Sequence, residues 1–292
     1  MAITAGNSFR GLSETGIDQM NYRHEFHAGN HSEVFKHALL CALIDHLQLK
    51  PKPICVIDTH AGSGLYDLES PEAVRTGEAD RGIRLVYPKR TRALQRYLGV
   101  VEHFNPERLK LYPGSPAIIR QLLRSEDRLI ACESEAGPAG RLRSVMEGDG
   151  RVAIHQRDGF AAVHAFVPPK ERRGLVFLDP PFENPNELAL AAEALNSGIR
   201  KWPTGIFALW YPIKGRSQIV KVKKLLVEET PTFCTEFQAN AKSEEGLTGS
   251  GMVILNPPWQ YDKDVHAICR ALVPIFEASG SGYSTEWWVR PR

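Results

Sequence analysis

The sequence predicts an α/β protein built on an open, mostly parallel sheet of the Rossmann-like kind. Three observations predict it. Short apolar runs such as Ile54-Cys-Val-Ile57 and Leu175-Val-Phe-Leu178 lack polar alternation, so they suit strands buried on both faces. Helical stretches follow some of these runs, the pattern of a layered α/β domain. The first four runs end in a glycine-rich turn or an acid: Gly62 and Gly64, then Glu133, Asp158 and Asp179. Open α/β sheets bind their ligands at the carboxyl ends of strands, so this ordered set is more specific than any of its members.

Composition sets the outer bounds. With 292 residues and 42% hydrophobics, the chain can bury one large core and carry an inserted segment. A net charge of +2 permits a nucleic-acid partner without requiring one. The five cysteines (Cys41, Cys55, Cys132, Cys234 and Cys269) form no Cys-x-x-Cys pair. They read as reduced core thiols of a cytoplasmic protein, not as a disulfide framework or a zinc site. No signal peptide, membrane span or internal repeat is visible, and a monomer is the default expectation.

Residues 1–20 are polar and predict a frayed extension. Residues 21–52 form an arm and a first helix. Asn30 or Ser32 can cap that helix, whose apolar face is Phe35, Leu39, Ala42, Leu43 and Leu47. Tyr22, His24 and His27 precede it on an irregular segment. Without a cysteine nearby, a metal site is not expected there. The arm either docks on the domain as a polar leader or covers a substrate cleft, with rings and cations aimed at base and phosphate.

The first strand ends at Asp58 and runs into Thr59-His60-Ala61-Gly62-Ser63-Gly64, the nucleotide position of a Rossmann-like fold. No Gly-Lys-Ser/Thr follows, and Asp67 replaces the third glycine of a dinucleotide fingerprint. A helix starts only at Ser115-Pro116, with Ser115 as expected cap, so residues 67–112 read as an inserted helical subdomain within a domain spanning 53–292. Its arginines and lysines form either a solvated face or a nucleic-acid contact. Glu133 ends the second strand, where ribose hydroxyls are held. Asp158-Gly159 ends the third strand, and Asp158 could accept from an adenine amino group.

Asp179-Pro180-Pro181-Phe182 ends the fourth strand, because two prolines cannot continue a ladder. The motif is either a strand-ending turn or a clamp. As a clamp, Asp179 and the Pro180 carbonyl accept from an exocyclic amino group while Phe182 stacks on the base. Residues 187–195 are helical, 205–212 form the fifth strand, and 214–226 read as a basic helix. Residues 233–237 and 252–255 form a late antiparallel pair, and 286–290 a final strand. Asn256-Pro257-Pro258-Trp259 repeats the clamp pattern on a late strand, away from the crossover between first and fourth strands. It is therefore expected to be a turn with a packing role.

From residue 21 onward the chain resembles the bacterial RlmJ-type methyltransferases. The matching segments are Tyr22-Arg-His-Glu-Phe-His-Ala-Gly-Asn-His31, Lys36-His37, Asp58-Thr-His-Ala-Gly62, Tyr112-Pro-Gly-Ser-Pro116, Arg172-Arg-Gly-Leu175, Ala208-Leu-Trp-Tyr-Pro212 and Gly251-Met-x-x-x-Asn-Pro-Pro-Trp259. The resemblance implies a class I S-adenosylmethionine-dependent methyltransferase fold with a mostly parallel seven-stranded sheet. It also implies methylation of N6 of an adenine in 23S ribosomal RNA, which releases S-adenosylhomocysteine. Implied cofactor-binding residues are Lys36, His37, His60, Gly62, Ser115, Glu133, Asp158, Gly159 and Asp179. Asp179 is the implied catalytic carboxylate. Tyr22, His24, Pro180, Pro181 and Phe182 face the substrate. The family pattern has tyrosine where this chain has Phe182; stacking survives that change. The rival readings are a DNA adenine or protein glutamine methyltransferase with the same clamp, and a non-catalytic ribosome-assembly protein that binds RNA.

Overall fold

A computed structural model describes residues 24–214, 219–226, 229–240 and 246–291. Tyr22 and the expected extension over 1–20 lie outside the described residues. A 3₁₀ turn, His24–Phe26, leads into α1 (His31–Gln48) and β1 (Cys55–Asp58). The next stretch holds β2 (Leu65–Asp67), α2 (Pro71–Thr76), α3 (Ile83–Val86), α4 (Gln95–His103) and β3 (Leu111–Pro113). Then come α5 (Ser115–Leu122), β4 (Arg128–Glu133), α6 (Ala136–Val145), β5 (Val152–Gln156), α7 (Gly159–Phe166), β6 (Gly174–Leu178), α8 (Glu187–Lys201), β7 (Ile206–Ile213) and α9 (Ile219–Leu225). The chain closes with β8 (Thr232–Gln238), β9 (Gly249–Leu255), α10 (Tyr261–Leu272) and β10 (Gly282–Val289).

The sheet has eight strands in the order β10-β8-β9-β7-β6-β1-β4-β5. The expected count of seven is thus one short. The extra strand is β10, which pairs antiparallel with β8 and covers what would otherwise be its open edge. Strands β5, β4, β1, β6 and β7 are parallel, whereas β9 and β8 run antiparallel to their neighbours. Both faces are buried, which is why the parallel strands read as unbroken apolar runs. Val56, Leu129, Ala131, Leu175 and Phe177 face one core with α1, α5 and α10. Cys55, Ile57, Ile130, Val176 and Leu178 face the other, beside Ala162, Val163, Ala191 and Leu195 of α7 and α8. All five cysteine thiols are buried and unpaired.

Helix α1 is buried around most of its circumference: Val34, Phe35, Leu39, Leu40, Leu43 and Ile44 are all fully enclosed. Asn30 is its cap, and its side chain accepts from the Glu33 amide at 2.9 Å. Helix α5 corrects an expectation. Gly114 occupies its cap position and Ser115 is the first helical residue, with Pro116 following. The Ser115 side chain is buried and bears on Asp58, so its hydroxyl is not spent on the helix end. Residues 67–112 hold three short helices between the two strands of the β2–β3 ribbon, which runs antiparallel.

The amino edge of the parallel strands is tied down by saturated ion pairs. Asp127, ahead of β4, accepts from the Ile54 amide at 3.0 Å, from Gln48 at 3.1 Å and from the Arg124 guanidinium at 2.9 Å. Asp149, ahead of β5, accepts from Arg151 at 2.7 and 2.9 Å and from Arg120 at 3.0 Å. These bonds hold both carboxyls below their ordinary range. For Asp149 the Arg151 bonds lead; for Asp127 burial is the largest single influence, and the bonds from Arg124, Ile54 and Gln48 together outweigh it.

Candidate active site at the carboxyl edge of the sheet

β1 lies between β6 and β4, so the chain reverses its direction of winding beside β1 and opens a crevice there. The predicted strand-end residues converge on this crevice. The turn after β1 is held in a left-handed conformation, with Gly62 at φ +62° and Gly64 at φ +83°. A Cβ on Gly62 would lie 2.3 Å from the Tyr66 hydroxyl, which itself accepts from the Ser63 amide at 3.0 Å. Only glycine fits there. Glu133 reaches across from β4, accepts from the Gly62 amide at 2.8 Å, and takes the Glu135 amide at 2.8 Å on its other oxygen. The acid at the second strand end and the glycine turn are therefore one unit.

Asp158 caps α7 by accepting from the Ala161 amide at 2.8 Å through Oδ1. Its capping and ligand-facing readings are compatible, since a carboxylate has lone pairs for both. Gly159 packs against the β1 turn so closely that a Cβ would lie 2.3 Å from the Thr59 carbonyl and 2.5 Å from the His60 ring. His60 hydrogen-bonds Thr59 at 2.8 Å, and burial lowers its imidazole to about 4. His37 is buried on α1 and bonded to the Tyr112 hydroxyl at 2.9 Å, which in turn meets Tyr97 at 3.0 Å. Burial drives His37 down to about 3, so it is a neutral ring at physiological pH.

Beneath the glycine turn sits Asp58, wholly buried, with no well-formed hydrogen bond to either carboxylate oxygen. Burial pushes its carboxyl up to about 7, although the Ser115 hydroxyl and His60 amide ease the charge. The glycine turn above it, where a Cβ on Gly62 would meet Tyr66, leaves backbone room for a nucleoside to approach closely. With Glu133 for hydroxyls and His60, Gly159 and Ser115 as walls, the residues fit an S-adenosylmethionine-sized nucleoside cofactor.

The second half of the crevice is built by β6 and β7. Asp179 follows β6, and Trp210 lies one residue beyond the Leu178–Leu209 pair on β7. Phe182 adopts φ +54°, a left-handed backbone that an aromatic residue rarely tolerates. Its ring centroid lies 6.1 Å from that of Trp210. Lys36 of α1 donates to Asp179 Oδ2, pairs with Glu33 one turn earlier, and stands 4.9 Å above the Trp210 ring. His24 hydrogen-bonds Glu33 at 3.0 Å and so joins the same group. Burial raises the Asp179 carboxyl above its ordinary range, against Lys36 and with the help of Glu33's charge. Asp179 Oδ1 has no partner among the described residues.

Sequence reasoning missed Glu33, Trp210, Asp58 and the Tyr97–Tyr112 pair. Glu33 had a signal: it lies three residues before Lys36 on an otherwise apolar helix, and a lysine buried there needs an anion. The second clamp-like motif is placed where it cannot take part. Strand β9 is antiparallel, so Asn256 sits at the amino edge, where its side chain donates to the Pro203 and Gly205 carbonyls at 2.6 and 3.0 Å. The expected packing role fails for Trp259, which is 81% exposed. Among the described residues, no group of three metal-type ligands occurs and no helix is long and apolar enough to cross a membrane.

The comparisons with known proteins agree with this geometry. The family model described as ribosomal RNA large subunit methyltransferase D, RlmJ, matches residues 51–289. Two curated proteins, from Escherichia coli and Haemophilus influenzae, are both named ribosomal RNA large subunit methyltransferase J. Each is 36% identical to this chain, covering 93% of it and 99% of the relative. A Legionella pneumophila protein of known crystal structure superposes with a TM-score of 0.83 at 30% identity, over 89% of this chain and 98% of its own. The fold is that of a class I methyltransferase, and the methyl donor of such an enzyme is S-adenosylmethionine. The glycine cradle, the strand-end acids and the full-length match lead to one conclusion: this chain belongs to the RlmJ family of ribosomal RNA large-subunit methyltransferases.

Proposed function

We propose that the protein transfers a methyl group to N6 of a specific adenine in 23S ribosomal RNA, acting in the cytoplasm as a monomer on protein-free or early-assembly RNA. The observation that carries this reading is Asp179. It is a mostly enclosed carboxylate with one oxygen held by Lys36 and the other without a partner among the described residues, on a proline-stiffened turn that leads into Phe182, whose ring neighbours Trp210. The free oxygen and the Pro180 carbonyl can accept both protons of an exocyclic amine, and Phe182 offers a face for the base. Adenine presents that amine on a flat ring. Cytosine presents a like amine, and the resemblance to the family supports adenine; guanine's amine lies on another edge, and thymine and uracil have none.

The N6 lone pair is delocalised into the ring, which makes the amine a poor nucleophile. Two accepted hydrogen bonds draw the nitrogen towards a tetrahedral geometry and localise the pair. Bound S-adenosylmethionine supplies an electrophilic methyl group on a positively charged sulfur. Glu133 would hold the ribose hydroxyls, Asp158 the adenine amino group of the cofactor, and His37, His60, Gly62, Ser115 and Gly159 would line its cradle. Asp179 takes up the proton that N6 sheds, directly or after transfer, and its upward-shifted carboxyl suits it to hold one. The chain's contribution is position and charge, while the cofactor brings the reactive group. The target base must be unpaired or turned out of its helix to reach Asp179. Tyr22 and His24 belong to the arm that would meet it.

The test is transfer of labelled methyl from S-adenosylmethionine to unmodified 23S RNA, with duplex DNA and protein as competitors, followed by nucleoside analysis. Label recovered as N6-methyladenosine from RNA is the expected result. Label in another nucleoside, in DNA or in protein would sink the reading.

A further inference from the structure

Lys36 has one ammonium and two anionic partners. Its side chain is 2% exposed and that of Glu33 is 5% exposed, so water screens neither. Glu33 and Asp179 share no hydrogen bond; the two carboxylates are joined through the Lys36 ammonium. His24 and His37 act on Glu33 from the arm and from α1, His24 also acts on Asp179, and Asp58 interacts with Asp179 from β1. An ammonium divided between two carboxylates cannot fully neutralise either of them. Glu33 stands in the first turn of α1 and also holds His24 of the arm, yet burying a second acid beside a lysine that already has Asp179 costs desolvation energy. That cost points to a charge that arrives with a ligand.

We propose that Glu33 is a positioning residue which, by sharing Lys36, leaves the Glu33–Lys36–Asp179 cluster with a net negative charge and so makes the site prefer S-adenosylmethionine to S-adenosylhomocysteine. This rests on the reading of Asp179 as the acceptor of the amine. A methyl group passing in line to that amine places the sulfur beside Asp179. The donor is a cation at that sulfur, and the demethylated product is neutral. A site with unbalanced negative charge therefore holds the substrate and releases the product. Without Glu33, Lys36 would pair with Asp179 alone, and the attraction for a cation would fall.

Unit charges about 6 Å apart at an effective dielectric of about 20 change a cation's affinity roughly a hundredfold. Glu33 acts from the far side of Lys36, so removing its charge is expected to change that affinity less, about tenfold. Equilibrium binding of both ligands is measured on the full chain for wild type, Glu33→Gln and Glu33→Asp. In wild type, S-adenosylmethionine binds more tightly than S-adenosylhomocysteine. In Glu33→Gln the ratio of the two affinities falls about tenfold while S-adenosylhomocysteine binding stays within about twofold. Glu33→Asp restores the ratio. A merely structural role would weaken both ligands together, and that result overturns the proposal. A wild-type protein that binds the neutral ligand as tightly as the cationic one overturns it without any variant, even if Glu33→Gln fails to fold. Wild type binding neither ligand would instead refute the cofactor cradle itself, and the inference would fall with it.

Discussion

The two edges of the parallel sheet treat buried carboxylates in opposite ways. At the amino edge, Asp127 and Asp149 are ringed by arginine forks and backbone amides, and their carboxyls sit below the ordinary range. At the carboxyl edge, Asp58 has only the Ser115 hydroxyl and the His60 amide beside it and no well-formed hydrogen bond, Asp179 shares a single lysine, and both carboxyls are raised. The arginine knots contribute to stability. The other edge is held in a costly state that a ligand can relieve. The difference separates structure from function without reference to any homologue: perturbed acids with every lone pair satisfied are scaffolding, and those left short of partners mark the site.

This contrast can be broken, beginning with its strongest claim. Asp179→Ala is expected to lower methyl transfer by at least about 10³-fold while melting temperature and S-adenosylhomocysteine affinity stay near wild type. Residual turnover within tenfold of wild type would remove Asp179 from the chemistry. Asp127→Ala should do the reverse. It strands Arg124 and the Ile54 amide, costs about 3 kcal/mol in denaturant unfolding, and leaves the activity of folded molecules intact. An activity loss without a stability loss would erase the distinction between the edges.

The pH dependence sharpens the comparison. The Asp58 carboxyl titrates near 7 in the folded protein and at about 3.9 in an unfolded chain. The folded state therefore holds the extra proton between those values, and stability falls as pH rises through that window. Asp58→Asn carries no such titration and should gain on the order of 2 kcal/mol over wild type at pH 8 relative to pH 4, read from denaturant midpoints. Equal pH profiles for the two proteins would mean that Asp58 is better solvated than its burial implies. The smallest effect concerns the second proline motif. Asn256→Gly tolerates the positive φ, loses two hydrogen bonds for about 1 kcal/mol of stability, and should change methyl transfer less than twofold. A large loss of transfer would return that motif to the active site.

Much of this was legible in the chain itself. A parallel strand must be apolar on both faces and must stop at a breaker, so Gly62, Glu133, Asp158 and Asp179 could be assigned to strand ends and hence to one crevice. Strand direction is not a local property. Nothing within Asn256-Pro257-Pro258-Trp259 says that β9 runs downwards, and only pairing with β7 puts it at the far edge. The Lys36–Asp179 contact spans 143 positions, and the His37–Tyr112–Tyr97 chain likewise joins α1 to residues far along the sequence. Such contacts are set by packing. The eighth strand shows the same limit: its residues read as a strand, yet its place beside β8 depends on an edge the sequence does not display.

Because β10 runs antiparallel to β8, the chain leaves the sheet at Val289 on the amino edge, whereas His24 joins Glu33 at the carboxyl edge. The two ends of the described chain thus emerge on opposite sides of the molecule. A surface tether or fluorescent fusion attached beyond β10 would point the crevice outward to solution and to a large RNA.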